Sequence, residues 1–169
     1  MKPIFFIGFM GVGKTTIGKR LGEVLNLPVI DMDQYIEDKE GKSIKDIFHQ
    51  HGERYFRDLE TKVLQELGKE KAIITTGGGV VESKENREFL RRNDSVFHLT
   101  CPFDVLWGRL EGDQDRPLVQ KNSKDSLMEL FDRRLPLYEN GCSVTIQTEN
   151  KSVDEVVSTI LPYLERYVV

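Results

Sequence analysis

The residues best equipped for chemistry stand near the start of the chain. Gly8-Phe9-Met10-Gly11-Val12-Gly13-Lys14-Thr15 follows the order G-x-x-x-x-G-K-T, in which a glycine-rich turn wraps a polyphosphate. Glycine lets the backbone approach phosphate oxygens closely and point its N–H groups at them. A helix starting near Lys14 would add the positive end of its dipole. Lys14 is then expected on the β- and γ-phosphates, and the Thr15 hydroxyl on Mg2+. A dinucleotide turn is the rival, because Asp31 and Asp33 follow about 20 residues later. Its glycine order is G-x-G-x-x-G, whereas here it is G-x-x-G-x-G, and it would leave Lys14 without a role.

Phosphoryl chemistry also needs a carboxylate near the metal. The apolar runs at 72–76 and 95–100 end in glycine and in Cys101, so neither supplies one. Val29-Ile30-Asp31-Met32-Asp33 does. In an open parallel sheet the C-terminal strand ends face the ligand crevice. If the strand runs through both acids, alternation puts them on one side. Asp31 would then serve Mg2+ through its water shell, and Asp33 an acceptor hydroxyl. One of the pair can instead cap a helix from Gln34, and Asp33 is the one better placed to do so.

Five β-type runs, at 3–7, 28–32, 72–76, 95–100 and 143–147, alternate with helical patterns. Such alternation gives an α/β fold, a five-stranded parallel sheet with helices on both faces. In the first helix, Ile17, Leu21, Val24 and Leu25 form a stripe. The last opens on the capping box Ser152-x-x-Glu155 and carries Val153, Val156, Val157, Ile160, Leu161 and Leu164 at helical spacing. Between 111 and 122 the pattern lapses into a polar segment containing Gly112, Arg116 and Pro117, long enough for a mobile lid. Arg109 at its base is a candidate contact for the nucleotide. His49 and His51 are two apart on a helix and diverge, and His98 in a strand reads as core.

The 169 residues fit one domain, 1–169, and their 38% apolar and 31% charged content is that of a globular chain. A net charge of −4 gives no attraction to nucleic acid or anionic membrane, so an anionic substrate needs local basic residues. No apolar run approaches the ~20 residues of a membrane span, and the N-terminal run is too short for a signal sequence. Cys101 and Cys142 lack metal spacing. The expectation is a reduced, cytoplasmic protein and a monomer.

Together these residues resemble the shikimate kinase family. The likeness runs through residues 8–16, Asp31-Met32-Asp33, Phe56-Arg57-Asp58-Leu59-Glu60, Thr76-Gly77-Gly78-Gly79, Arg116-Pro117-Leu118 and Arg134-x-Pro136-Leu137-Tyr138-Glu139. It departs at Gly141, where the family has alanine. The resemblance implies a three-layer P-loop kinase fold that transfers the ATP γ-phosphoryl to the 3-hydroxyl of shikimate. It implies nucleotide contacts at Gly11, Val12, Gly13, Lys14, Thr15, Thr16, Arg116 and the stretch around Lys151. It places shikimate on Asp33, Arg57, Gly78, Gly79 and Arg134, with a helical segment at about 33–61 on the acceptor side. Lys14, Asp33 and Arg116 would be catalytic. Guanidinium forks suit the single carboxylate of shikimate, and Glu60, one turn from Arg57, is placed to orient it. A kinase for gluconate or a nucleoside monophosphate stays open, since it would share the phosphate loop and lid. A GTP switch fits poorly: Asn150-Lys151-Ser152-Val153-Asp154 is one residue too long for N-K-x-D.

Overall fold

The structure, a computed structural model, describes residues 2–111 and 123–168. Five strands form one parallel sheet: β1 Ile4–Ile7, β2 Val29–Asp31, β3 Ile73–Thr75, β4 Val96–Thr100 and β5 Val144–Gln147. Each falls within one of the five runs expected from sequence. The spatial order is β2-β3-β1-β4-β5. From β1 the chain goes first to the far edge as β2, returns as β3 between the two, and then crosses to the other side of β1 for β4 and β5. Phe6 is in register with Thr75, and Thr75 with Asp31, so β1, β2 and β3 end at one level. That shared edge is where an open α/β sheet offers a ligand crevice.

Alternation along the strands decides which helices cover which face. Phe5 meets Phe89 edge-on, and His98 stacks on Tyr138 at 5.0 Å. These side chains belong to α4 Lys84–Arg91 and α6 Lys124–Gly141. Phe6 and Phe97 point the other way, toward α1 Lys14–Leu25 and α7 Val153–Val168; Phe97 meets Tyr163 of α7. Helices therefore cover both faces, and β1 is sealed between them, each of its residues at most 1% exposed. Full burial on both faces is why its sequence is a continuous apolar run rather than an alternating one.

Two expectations change. Val24 is 46% exposed, outside the core stripe of α1. The buried face of α1 carries Gly18 and Gly22 instead, and a Cβ on Gly18 would lie 2.7 Å from Thr75 Cγ2. Small residues at those positions bring α1 down onto β3. The second change is at Asp31-Met32-Asp33. The strand stops at Asp31, and α2 Met32–Glu40 begins at once. The cap of that helix is Asp31, whose Oδ1 accepts from Gln34 N at 3.0 Å; Asp33 sits in its first turn. The segment at 33–61 is accordingly two helices, α2 and α3 Ile44–Leu67, and Gly52 breaks the second at φ 83°. The short α5 Phe103–Leu110 follows β4, and a 3-10 turn, Val80–Glu82, follows the glycine run after β3.

Candidate active site

A cleft of about 700 Å³ opens over the C-terminal edge of the sheet. Its lining includes Gly11, Val12, Gly13, Lys14, Thr15, Thr16, Asp31, Asp33, Gly78, Arg109 and Lys151, all expected from sequence. Arg57, Gly79 and Arg134 stand just behind it, as shown below. Arg116, and with it the lid expected at 111–122 beyond residue 111, lies outside the described residues.

At one end the loop after β1 turns back over the start of α1. Gly11 and Gly13 hold φ values of 82° and 104°, which a side chain would strain. Lys14 Nζ donates to Gly8 O at 2.6 Å and Phe9 O at 3.1 Å, so the ammonium lies over the loop that would hold phosphate. Arg109 supports the loop from α5, donating through Nη1 to Gly11 O at 3.0 Å. The Thr15 hydroxyl lies 3.4 Å from Asp31 Oδ2. A hydroxyl and a carboxylate converging beside a phosphate loop are the hard oxygen donors Mg2+ accepts, with water and phosphate completing its octahedron. Among the described residues no three His, Cys, Asp or Glu side chains cluster to hold a metal by themselves. The residues fit the ion.

At the other end, two arginines and two carboxylates gather around Gly77-Gly78-Gly79. A Cβ on Gly77 would meet Asp33 Oδ1 at 3.0 Å and Glu60 Oε2 at 3.3 Å. A Cβ on Gly79 would collide with the Arg57 guanidinium, which abuts this glycine. Arg57 Nη1 donates to Glu60 Oε1 at 2.9 Å, and Glu60 is 1% exposed. Burial pushes the Glu60 carboxyl up to about 7, against the pull of Arg57. Asp33 is also raised, first by burial and then by the charge of Asp31, with Lys14 and Arg57 opposing. Its Oδ1 is buried without a hydrogen-bond partner.

Arg134 approaches from α6, its side chain 4% exposed. Its Nε donates to Glu82 Oε1 at 2.8 Å, and its Nη1 lies 3.6 Å from where a Gly78 Cβ would be. One turn on, the buried Tyr138 hydroxyl donates to Gly78 O at 2.6 Å. Glu82 and Tyr138 are the site residues that sequence reasoning assigned no role. The i, i+4 spacing of Arg134 and Tyr138 on one helix face carried a signal; Glu82 carried none. At Gly141 a Cβ would meet Leu90, Arg87 and Ile7 at 3.8–3.9 Å, ordinary contact, so the family's alanine would fit.

A parallel sheet ordered β2-β3-β1-β4-β5, with a phosphate loop after β1, a carboxylate in the same cleft and two guanidinium groups just behind it at the glycine run, defines a P-loop kinase of a small anionic acceptor. The sequence matches the family model for shikimate kinase over residues 10–165. It is 46% identical over 161 residues to a shikimate kinase of Bacillus cytotoxicus, covering 95% of this chain and 97% of that one. A shikimate kinase of Persephonella marina is 43% identical, covering 95% and 98%. The solved shikimate kinase of Acinetobacter baumannii, in complex with shikimate, superposes with a TM-score of 0.91 at 36% identity, over 99% of this chain and 94% of that one. The protein belongs to the shikimate kinase family, ATP-dependent enzymes that phosphorylate a hydroxyl of shikimate. A gluconokinase of Sinorhizobium meliloti matches at a TM-score of 0.60 and 16% identity, a likeness of fold alone.

Proposed function

We propose that this protein seats the ATP phosphates in the loop of residues 8–15 and shikimate at the glycine run, and passes the γ-phosphoryl to the shikimate 3-hydroxyl. One observation carries the assignment of ends: Lys14 and Asp33 line a single cleft, and the two arginines meet the glycine run beside Asp33, Arg57 at Gly79 and Arg134 at Gly78. Shikimate brings one carboxylate and several hydroxyls. Arg57 and Arg134 give the carboxylate two donor forks, and the buried, unpartnered Asp33 Oδ1 gives a hydroxyl an acceptor.

Transfer of a phosphoryl group proceeds through a loose transition state, so the chain's task is to align reactants and balance charge. Lys14 exchanges the Gly8 and Phe9 carbonyls for phosphate oxygens and stabilises the charge developing on the leaving group. Thr15 and Asp31 would hold Mg2+ beside the phosphate loop. When bound, Mg2+ neutralises charge on the β- and γ-phosphates. Asp33 fixes the acceptor hydroxyl in line. Its raised pKa keeps it a competent acceptor of the hydroxyl proton once the new bond has formed. Arg109 holds the phosphate loop in shape, and Lys151 faces the nucleoside. On the family resemblance, Arg116 supplies a further cation over ATP. We read the protein as a cytoplasmic monomer; its two cysteines are free, and sedimentation tests the oligomeric state.

ATP turnover with and without acceptor tests the whole reading. ADP release should depend on shikimate, and phosphorus NMR should place the new ester at the 3-hydroxyl. Equal turnover with gluconate, or turnover indifferent to shikimate, would sink it.

A further inference from the structure

Glu82 closes the 3-10 turn behind the glycine run, and its carboxylate is divided between neighbouring arginines of α6. Oε1 accepts from Arg134 Nε at 2.8 Å, and Oε2 from Arg133 Nη1 at 2.9 Å. The two arginines are not equivalent. Arg133 is 58% exposed and Arg134 is 4% exposed. A solvated pair of this kind contributes little. For a buried guanidinium, the group that accepts its Nε–H fixes the plane of the fork. With Nε held by Glu82, Arg134 Nη1 is left facing Gly78.

The turn that carries Glu82 is itself tied down. Arg87 Nη1 donates to Val81 O at 2.7 Å and to Glu82 O at 3.2 Å, and Asn86 Nδ2 donates to Val80 O at 2.9 Å. Glu82 therefore transmits the position of a fixed backbone to a side chain 52 residues away. Burial disfavours its charge, but the two guanidinium groups outweigh this and hold the carboxyl below the usual glutamate range. It remains an anion across the neutral range.

We infer that Glu82 is a positioning residue for acceptor binding: it holds the Arg134 guanidinium against the glycine turn with Nη1 toward Gly78, so the acceptor carboxylate meets a preset fork. The inference rests on the proposed role of Arg134 at that carboxylate. Glu82 itself does not line the cleft. An anion beside an anion-binding arginine also repels the ligand, and Arg133 offsets that repulsion by leaving the trio Arg133–Glu82–Arg134 with a net positive charge. Removing Glu82 thus loses alignment and gains attraction, and alignment is the larger effect.

Steady-state kinetics of Glu82→Ala, Glu82→Gln, Arg134→Ala and the double variant Glu82→Ala/Arg134→Ala test this, with shikimate and ATP varied separately. Glu82→Ala should raise the shikimate KM about tenfold, with kcat and the ATP KM within about twofold. Glu82→Gln, which keeps the shape and an acceptor oxygen, should recover most of the loss and stay within about threefold of the parent. It also keeps the test alive should the alanine variant fold poorly. The double variant should match Arg134→Ala within about twofold, because a residue acting only through Arg134 has nothing left to align. An unchanged or lower shikimate KM in Glu82→Ala beside a raised one in Arg134→Ala overturns the positioning role and spares the reading of Arg134. Additive losses in the double variant overturn it too. An unmoved KM in Arg134→Ala overturns both.

Discussion

At the phosphate end of the cleft, eight consecutive residues supply the loop, the cation and the hydroxyl, and the groups facing the ligand are largely backbone. At the acceptor end, the groups come from α2, α3, the glycine run, the 3-10 turn and α6, and most are charged side chains paired to one another. A backbone cradle is fixed by local conformation and binds any phosphate chain. A side-chain site needs each fork oriented by a partner, since a free guanidinium keeps rotamer freedom that binding must remove. The first design suits a ligand common to many enzymes; the second lets one fold choose its acceptor.

The largest effect that can break this contrast is at Lys14. Lys14→Ala should cut turnover by about a hundredfold or more, the size typical of losing a charge-stabilising donor. Thermal unfolding should hardly shift, because the ammonium sits on loop carbonyls and not in the core. Turnover near the parent's would remove the phosphate loop from the mechanism.

Arg57→Ala and Arg134→Ala come next and act on the other end. Each should weaken shikimate about tenfold to a hundredfold while ATP affinity without acceptor stays put. They should differ in stability. Arg57→Ala strands Glu60 at 1% exposure, whereas Arg134→Ala leaves Glu82 still paired with Arg133. Equal losses for ATP and shikimate would mean the two ends are not separate sites.

The same contrast governs what could be read in advance. The phosphate end was legible because its chemistry and its geometry are contiguous in sequence. The five strands were legible because buried parallel strands are unbroken apolar runs. Asp31 and Asp33 were located, but the helix cap fell to Asp31 rather than Asp33: the capping geometry depends on where the strand stops, and apolar spacing leaves that boundary loose by a residue or two. Glu82 was invisible because tertiary packing alone brings residue 82 to residue 134.

A pH experiment sharpens the acceptor end further. Burial pushes the Glu60 carboxyl up to about 7 in the folded protein from an ordinary 4.5, so between those values the folded state holds a proton the unfolded chain has released. Its favourable contribution is complete below 4.5 and is lost as pH rises to about 7. His98 runs oppositely. Burial, with Lys14 adding, depresses it from 6.5 to about 4, so its contribution is complete above 6.5 and lost as pH falls toward 4. The two slopes overlap and partly cancel in the parent. Glu60→Gln should therefore gain about 1–3 kcal/mol relative to the parent between the lower and upper ends of the Glu60 window. Denaturant midpoints measured across that window would show it, and parallel curves for parent and variant would contradict it.

The smallest predicted effect concerns how the two designs meet. Gly78 lines the cleft and lies between the phosphate loop and Arg134: a Cβ there would be 3.4 Å from Met10 N and 3.6 Å from Arg134 Nη1. Its carbonyl accepts from Tyr138 at 2.6 Å, and the Tyr138 ring stacks on His98 of β4. The tyrosine thus pins a backbone segment of the acceptor end to the sheet that carries the phosphate loop. Tyr138→Phe keeps the ring and its packing but removes the hydroxyl, leaving a buried carbonyl short of a donor at a cost of about 1 kcal/mol in stability. A Gly78 freed from that anchor should also raise the shikimate KM by about threefold or less, with the ATP KM unchanged. Should Tyr138→Phe lose stability while the shikimate KM stays fixed, the hydrogen bond serves folding alone, and the glycine turn is held in place by Glu82 and Arg134 without it.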